Sequence, residues 1–204
     1  MPLILAAWLV PGDSGAFCQT VTNPGPNAKS GHRSSQELLQ LRSGSHVAEF
    51  LPGKAHLNSG GHPLTVEFLG SPGVMPRMLV DAAIRTGAVS SSPKALYEDL
   101  WPGVRLIFGL NPKGSCETTY ILVAGADVAN IRLRYNVPVK LQEDGTLRFQ
   151  FSTGTVTESS PEAWQEINGE RVSVRVSFTL THGEVGFTVG NYDARYPLTI
   201  DPAY

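Results

Sequence analysis

The residues of this chain whose types could carry chemistry are its five histidines, two cysteines, a scatter of carboxylates and one Gly-Asp-Ser-Gly string. A serine in such a string is a nucleophile for peptide hydrolysis when a histidine base and a buried aspartate precede it along the chain. No histidine precedes Gly12-Asp13-Ser14-Gly15, which removes that reading. His46, His56 and His62 are close enough in sequence for neighbouring strands to gather them. They lack the paired cysteines or the i, i+4 spacing of zinc sites, so surface histidines are expected, as for His32 and His182. Asp127, Glu143, Asp144, Asp193 and Asp201 form no calcium-loop pattern and read as solvated loop carboxylates. Asp201 is the exception: it follows Leu198-Thr199-Ile200 and precedes Pro202, a place for a strand-end hydrogen bond. Cys18 and Cys116 could pair in an oxidising compartment; the alternative is a buried free thiol at Cys116. No catalytic residue, cofactor-binding residue or metal ligand is assigned from these patterns.

Two further sets could bind without reacting. Trp101, Trp164, Tyr192 and Tyr196 lie near turns, where exposed aromatic rings would contact a surface glycan; the alternative for each is core or tyrosine-corner packing. Arg132, Arg134, Arg148, Arg171 and Arg175 fall at outward strand positions and would make a basic stripe if their strands were neighbours. Single-strand binders interleave aromatics with such a stripe, and here Phe149, Phe151, Phe178 and Phe187 have the opposite parity. A solvated sheet face is therefore expected. A net charge of -2 and a pI of 6.2 add no global field to hold nucleic acid.

These residues need a scaffold, and composition bounds it. At 204 residues with 41% hydrophobic content the chain can bury one real core. Leu3 to Val10 is eight apolar residues, far short of the roughly 20 that span a bilayer. That run matches the apolar part of an export signal, with cleavage after Ala16, although no Lys or Arg precedes it; an unstructured start is the alternative. From Gln19 to Ser35 the chain reads as a linker, and Ser35 to Leu41 as two marginal helical turns. Residues 1–41 are thus expected to be leader and linker, and residues 42–204 the domain.

Within the domain the period is two. Val172, Val174, Val176, Phe178 and Leu180 alternate with Arg171, Ser173, Arg175, Ser177 and Thr179, which reads as one strand from Arg171 to Leu180 with an apolar face. Leu147/Phe149/Phe151, Ile131/Leu133/Tyr135, Val185/Phe187/Val189 and Leu64/Val66/Phe68 repeat the pattern. Asp144-Gly145, Asn168-Gly169 and His182-Gly183 separate strands as hairpin turns do. Successive hairpins with one apolar side need a second layer, so an all-β, antiparallel two-sheet β-sandwich is expected. Residues 71–96 break the rhythm and read as an insertion, with a short helix from Arg77 to Arg85.

The blocks Leu100 to Phe108, Tyr120 to Asp127, Ile131 to Tyr135, Trp164 to Gly169, Val185 to Asp193 and Pro197 to Pro202 occur in a recognisable order. In that order the chain resembles a bacterial domain of unknown function that precedes SBBP (seven-bladed β-propeller) repeats in exported or cell-surface proteins. The match covers about 97–204 well and 45–70 weakly. The resemblance implies a non-enzymatic structural or interaction module outside the cell, without cofactor or metal, partnered by a downstream propeller array. A carbohydrate or surface-ligand binding module is the alternative. Members usually run on into propeller repeats; ending at Tyr204, this chain is expected to be either a stand-alone relative or a fragment.

Overall fold

Strict alternation leaves each strand with one dry and one wet face, and the fold stacks the dry faces of its two large sheets against each other. The computed structural model describes residues 17–22, 37–59, 61–79, 93–110 and 116–202. Strands are numbered in chain order. An eight-stranded antiparallel sheet runs in space β1 (Phe17–Thr22), β2 (Glu37–Ser43), β3 (His46–Leu51), β4 (Lys54–Ser59), β5 (His62–Phe68), β10 (Leu133–Tyr135), β17 (Glu184–Val189) and β16 (Val176–Thr181). A seven-stranded sheet runs β15 (Glu170–Val174), β14 (Glu162–Ile167), β18 (Leu198–Asp201), β9 (Cys116–Leu122), β8 (Val104–Leu110), β7 (Lys94–Trp101) and β6 (Arg77–Leu79). A third, small sheet holds β11 (Val139–Leu141), β12 (Leu147–Phe151) and β13 (Gly154–Glu158). The chain is all-β, as the alternation requires.

The two large sheets share one core. Phe50 of β3 meets Phe108 of β8 with ring centroids 5.0 Å apart, and Phe68 of β5 lies 5.3 Å from Tyr97 and 5.9 Å from Trp101 of β7. Farther along, Tyr120 of β9 meets Phe187 of β17 at 5.2 Å. All these rings are buried, and register explains why. Val174, Ala163, Ile200, Tyr120, Leu106 and Tyr97 stand directly opposite one another across β15, β14, β18, β9, β8 and β7, making one inward row. Two polar atoms inside find partners on the other layer. Tyr97 Oη lies 2.9 Å from the carbonyl of Leu51 and 3.2 Å from that of Lys54, and Trp101 Nε1 donates to the carbonyl of Leu69 at 2.8 Å.

The turns at Asn168-Gly169 and His182-Gly183 have positive φ at both central residues (54° and 83°, 52° and 80°), the twist that joins antiparallel neighbours without splaying them. They connect β14 to β15 and β16 to β17.

Four expectations change. Residues 37–43 are strand β2, not helix: Leu39, Leu41 and Ser43 take the core-facing parity and Gln40 and Arg42 the opposite one, where Gln40 is buried with its amide on Glu49, and a sheet supplies the tertiary packing that two helical turns lack. With β1 paired to it, the sheet begins before residue 42. Arg77–Leu79 is strand β6, with Met78 opposite Ala95, and residues 94–96 already belong to β7; residues 80–92 lie outside the described part. The Arg171–Leu180 run is two strands. β15 lies in the seven-stranded sheet and β16 in the eight-stranded sheet, with Arg175 at the corner, its carbonyl accepting from Gly190 N at 2.8 Å. Val172 is consequently 44% exposed, because β15 is an edge strand and the opposite layer does not reach over it. Finally, Leu147 and Phe149 are buried on the small third sheet, which alternation alone does not separate from the others.

Replacing Tyr97 by Phe strips a donor from the two turn carbonyls while leaving the ring in place. We expect a loss of about 1–3 kcal/mol in urea unfolding at unchanged slope. An unchanged midpoint would show that the hydroxyl does not bridge the layers.

Candidate functional site

Most side chains with chemical potential are occupied in holding backbone. Gln165 of β14 is buried, and its amide reaches into the loop ahead of β18. Nε2 donates to the carbonyls of Asp193 (2.8 Å) and Tyr196 (3.1 Å), and Oε1 accepts from Asp193 N (2.9 Å). Asp193 is gripped in turn by Arg195, which lies 2.6 Å away and donates from both side chain and backbone, holding the carboxyl down to about 2. Asp127 accepts from Ala129 N and caps a 3-10 turn, Asp144 accepts from the backbone and hydroxyl of Thr146, and Glu143 is exposed. Asp201 accepts from Thr119 Oγ1 at 3.0 Å across β18 and β9, the strand-end role its position suggests. Burial pushes its carboxyl above the ordinary range, as do Glu117 and Glu162 nearby, against the Thr119 hydrogen bond.

The histidines do not converge. His46 and His62 share the inward parity of β3 and β5 and one register row, with β4 between them, whereas His56 faces outward and meets Thr65 Oγ1 at 2.9 Å. His182 sits in the β16–β17 turn, and His32 lies outside the described residues. Among the described residues no three His, Cys, Asp or Glu are grouped so as to hold a metal ion. Cys116 is a free, buried thiol, pushed up by burial and by Glu158 and Glu117. Gly12-Asp13-Ser14-Gly15 and the apolar run before it lie outside the described residues.

The four aromatics separate. Trp101 is 1% exposed in the core and offers no face to a ligand, so for it the packing alternative holds. Tyr192 is half-buried against the core, and Tyr196 sits in the same loop, its N–H donating to the Asp193 carbonyl at 3.0 Å. Trp164 is half-buried on the outward face of β14, with the Arg171 guanidinium stacked 3.6 Å from its ring centroid. The five arginines do not form one stripe either. Arg134 is on β10, Arg148 on the third sheet and Arg171 on β15, because their shared parity says nothing about which sheet a strand joins. Arg132 and Arg134 both pair with Glu184, at 3.7 and 3.0 Å.

The two broad outer faces differ, which single-strand parity does not reveal. On the eight-stranded sheet, Gln40, Glu49, His56 and Thr65 form one register row and Lys54, Glu67, Arg134 and Glu184 another, polar throughout. On the seven-stranded sheet, Trp164, Thr199, Ile121 and Arg105 stand in a row, and Ile107 lies beside them, opposite Thr119. Ile107, Ile121 and Trp164 stay half-buried there. Two open clefts, about 450 and 370 Å³, flank the β16–β17 turn and share His182; one is walled by Tyr135, Pro138 and Leu180, the other by Ile131 and Phe187. No helix among the described residues is long and apolar enough to cross a membrane.

A family model described as a domain of unknown function, DUF7948, matches residues 81–203. No curated protein and no solved structure matches the chain.

The two perturbed aspartates give opposite pH signatures. Asp193 is more acidic folded than unfolded, so its contribution is complete above the unfolded value near ~3.9 and lost as pH falls toward about 2. Asp201 is less acidic folded, so its protonation favours the folded state as pH falls through its raised value. Thermal midpoints measured against pH should therefore flatten at the acid end in Asp193→Asn and steepen in Asp201→Asn, which keeps an acceptor for Thr119. Profiles parallel to the parent would contradict both environments.

Proposed function

The chain belongs to the DUF7948 family of domains of unknown function, and from that premise we propose that it is a non-enzymatic structural and interaction module. In this reading it works outside the cell or at its surface, as the N-terminal domain or a fragment of a protein carrying SBBP propeller repeats. The observation that carries the reading is where the ordered sequence blocks fall. Leu100 to Phe108 spans the β7–β8 hairpin, Tyr120 to Asp127 runs out of β9, Trp164 to Gly169 is β14 with its turn, and Pro197 to Pro202 contains β18. These four are contiguous strands of one sheet, and the other two blocks, Ile131 to Tyr135 and Val185 to Asp193, hold the neighbouring strands β10 and β17 of the facing sheet, so the blocks together describe a folding unit and not a scatter of short matches. The Gln165 and Asp127 side chains spend their hydrogen bonds on loop backbone, and Asp144 and Asp193 divide theirs between the backbone and the side chain of the residue two positions on, as befits a scaffold. β18 is held between β14 and β9, and the Pro202 carbonyl accepts from Thr118, so the strand of the last block is a rigid anchor beside which a propeller end can be closed.

The carbohydrate reading rests on Trp164, whose ring faces outward under a guanidinium that a flat sugar face would have to displace. Biolayer interferometry of the intact chain against a purified SBBP-repeat propeller segment distinguishes the two. We expect saturable binding to the propeller that survives Trp164→Ala. Binding to a glycan panel that Trp164→Ala abolishes, with no propeller binding, would replace the proposal with the sugar reading.

A further inference from the structure

The outer face of the seven-stranded sheet is electrically divided. Its β14, β18 and β9 strands carry Glu162, Glu166, Asp201 and Glu117 on that side, against Arg171 on the edge strand β15. Its β8, β7 and β6 strands carry Arg105, Lys94 and Arg77, against Glu98, which both Arg77 (2.8 Å) and Arg105 (2.6 Å) hold. The acidic side is felt locally: Glu117 and Glu162 both help to raise the Asp201 carboxyl. Between the charged flanks lie the half-buried Ile107 of β8 and Ile121 of β9, while Trp164 sits farther out on β14, beneath the Arg171 guanidinium. An apolar centre within a charged rim is the anatomy of a protein–protein interface.

We infer that this face is a docking surface for a second copy of the chain, the two related by a two-fold axis parallel to the strands and passing between β9 and β8. Such an axis turns the face over and lays the acidic half of each copy on the basic half of the other. Register makes the match specific. Glu162, Asp201, Thr119, Ile107, Leu96 and Arg77 occupy one cross-strand row, three strands to either side of the axis. Rotation about the axis keeps height along the strands, so Glu162 of one copy meets Arg77 of the other at the ends of the row, Asp201 lies over Leu96 and Thr119 over Ile107, and in the next row Ile121 lies over the Arg105 side chain. Both end residues are open to such a contact: the Glu162 and Arg77 side chains are 78% and 58% exposed, and each holds only an exposed ion pair of its own, with Arg171 at 3.5 Å and Glu98 at 2.8 Å. Because the arrangement is isologous, every pair occurs twice and the assembly closes at two copies. The inference stands apart from the propeller partner proposed above, since mass alone reads it out.

Sedimentation equilibrium of the intact chain tests it. We expect a dimer that salt weakens. Arg77→Glu and Glu162→Lys should each weaken it by roughly tenfold or more while the far-ultraviolet circular dichroism spectrum of the folded chain is unchanged, because each puts like charges together twice. An equimolar mixture of the two variants should recover the dimer, since one reversed pair then faces the other and the native pair is restored on the far side. A parent chain that stays monomeric overturns the inference and leaves the face to a partner of other chemistry. A dimer that neither reversal weakens, or variants whose mixture does no better than either alone, also overturns it.

Discussion

Phe50 and Phe68 on one sheet and Tyr97, Trp101 and Phe108 on the other fill a single dry space, and the rest of the molecule follows from keeping those rings there. Large edge-to-face ring contacts combine area removed from water with a preferred geometry. They work only if both sheets hold their registers, because a one-residue slip turns every ring toward solvent. That constraint accounts for the polar contacts inside the core. The Tyr97 hydroxyl and the Trp101 indole nitrogen reach loop carbonyls at Leu51, Lys54 and Leu69, so aromatic residues with polar tips pin the layers in place as well as filling space.

What sequence makes legible here is local. Asn168-Gly169 and His182-Gly183 need positive φ and therefore announce their hairpins, and Leu64/Val66/Phe68 or Val185/Phe187 announce which face is dry. Which strand neighbours which is settled by long-range packing, and there the reading stops. The valine run from Val172 to Val176 keeps its alternation through Arg175 while the strand changes layers, so parity is silent about the break. Leu38-Leu39-Gln40-Leu41 fits two helical turns or a strand equally well until β3 is beside it. The Arg77–Leu79 strand is three residues long and borrows its conformation from β7.

The same limit governs the polar residues. Asp201 could be placed correctly because its role lies at the end of its own strand, whereas the Gln165 clamp depends on a loop nearly thirty residues away, at 165 and 193. Trp101 and Trp164 both stand next to turns, yet one is sealed in the core and the other faces out, since only the strand's place in its sheet decides the matter. Charge division across the seven-stranded face is invisible in sequence order, because β14 and β18 flank a long excursion through the other layer.

The central claim is that both sheets are halves of one cooperative core. Native-state hydrogen exchange in increasing urea tests it most directly, by comparing amides of β3 and β5 with those of β8 and β9. A single core predicts that all four strands converge on one opening free energy, and that Phe50→Leu lowers it equally in both sheets. Strands of the two sheets that open with separate free energies, or a Phe50→Leu effect confined to one sheet, would contradict it.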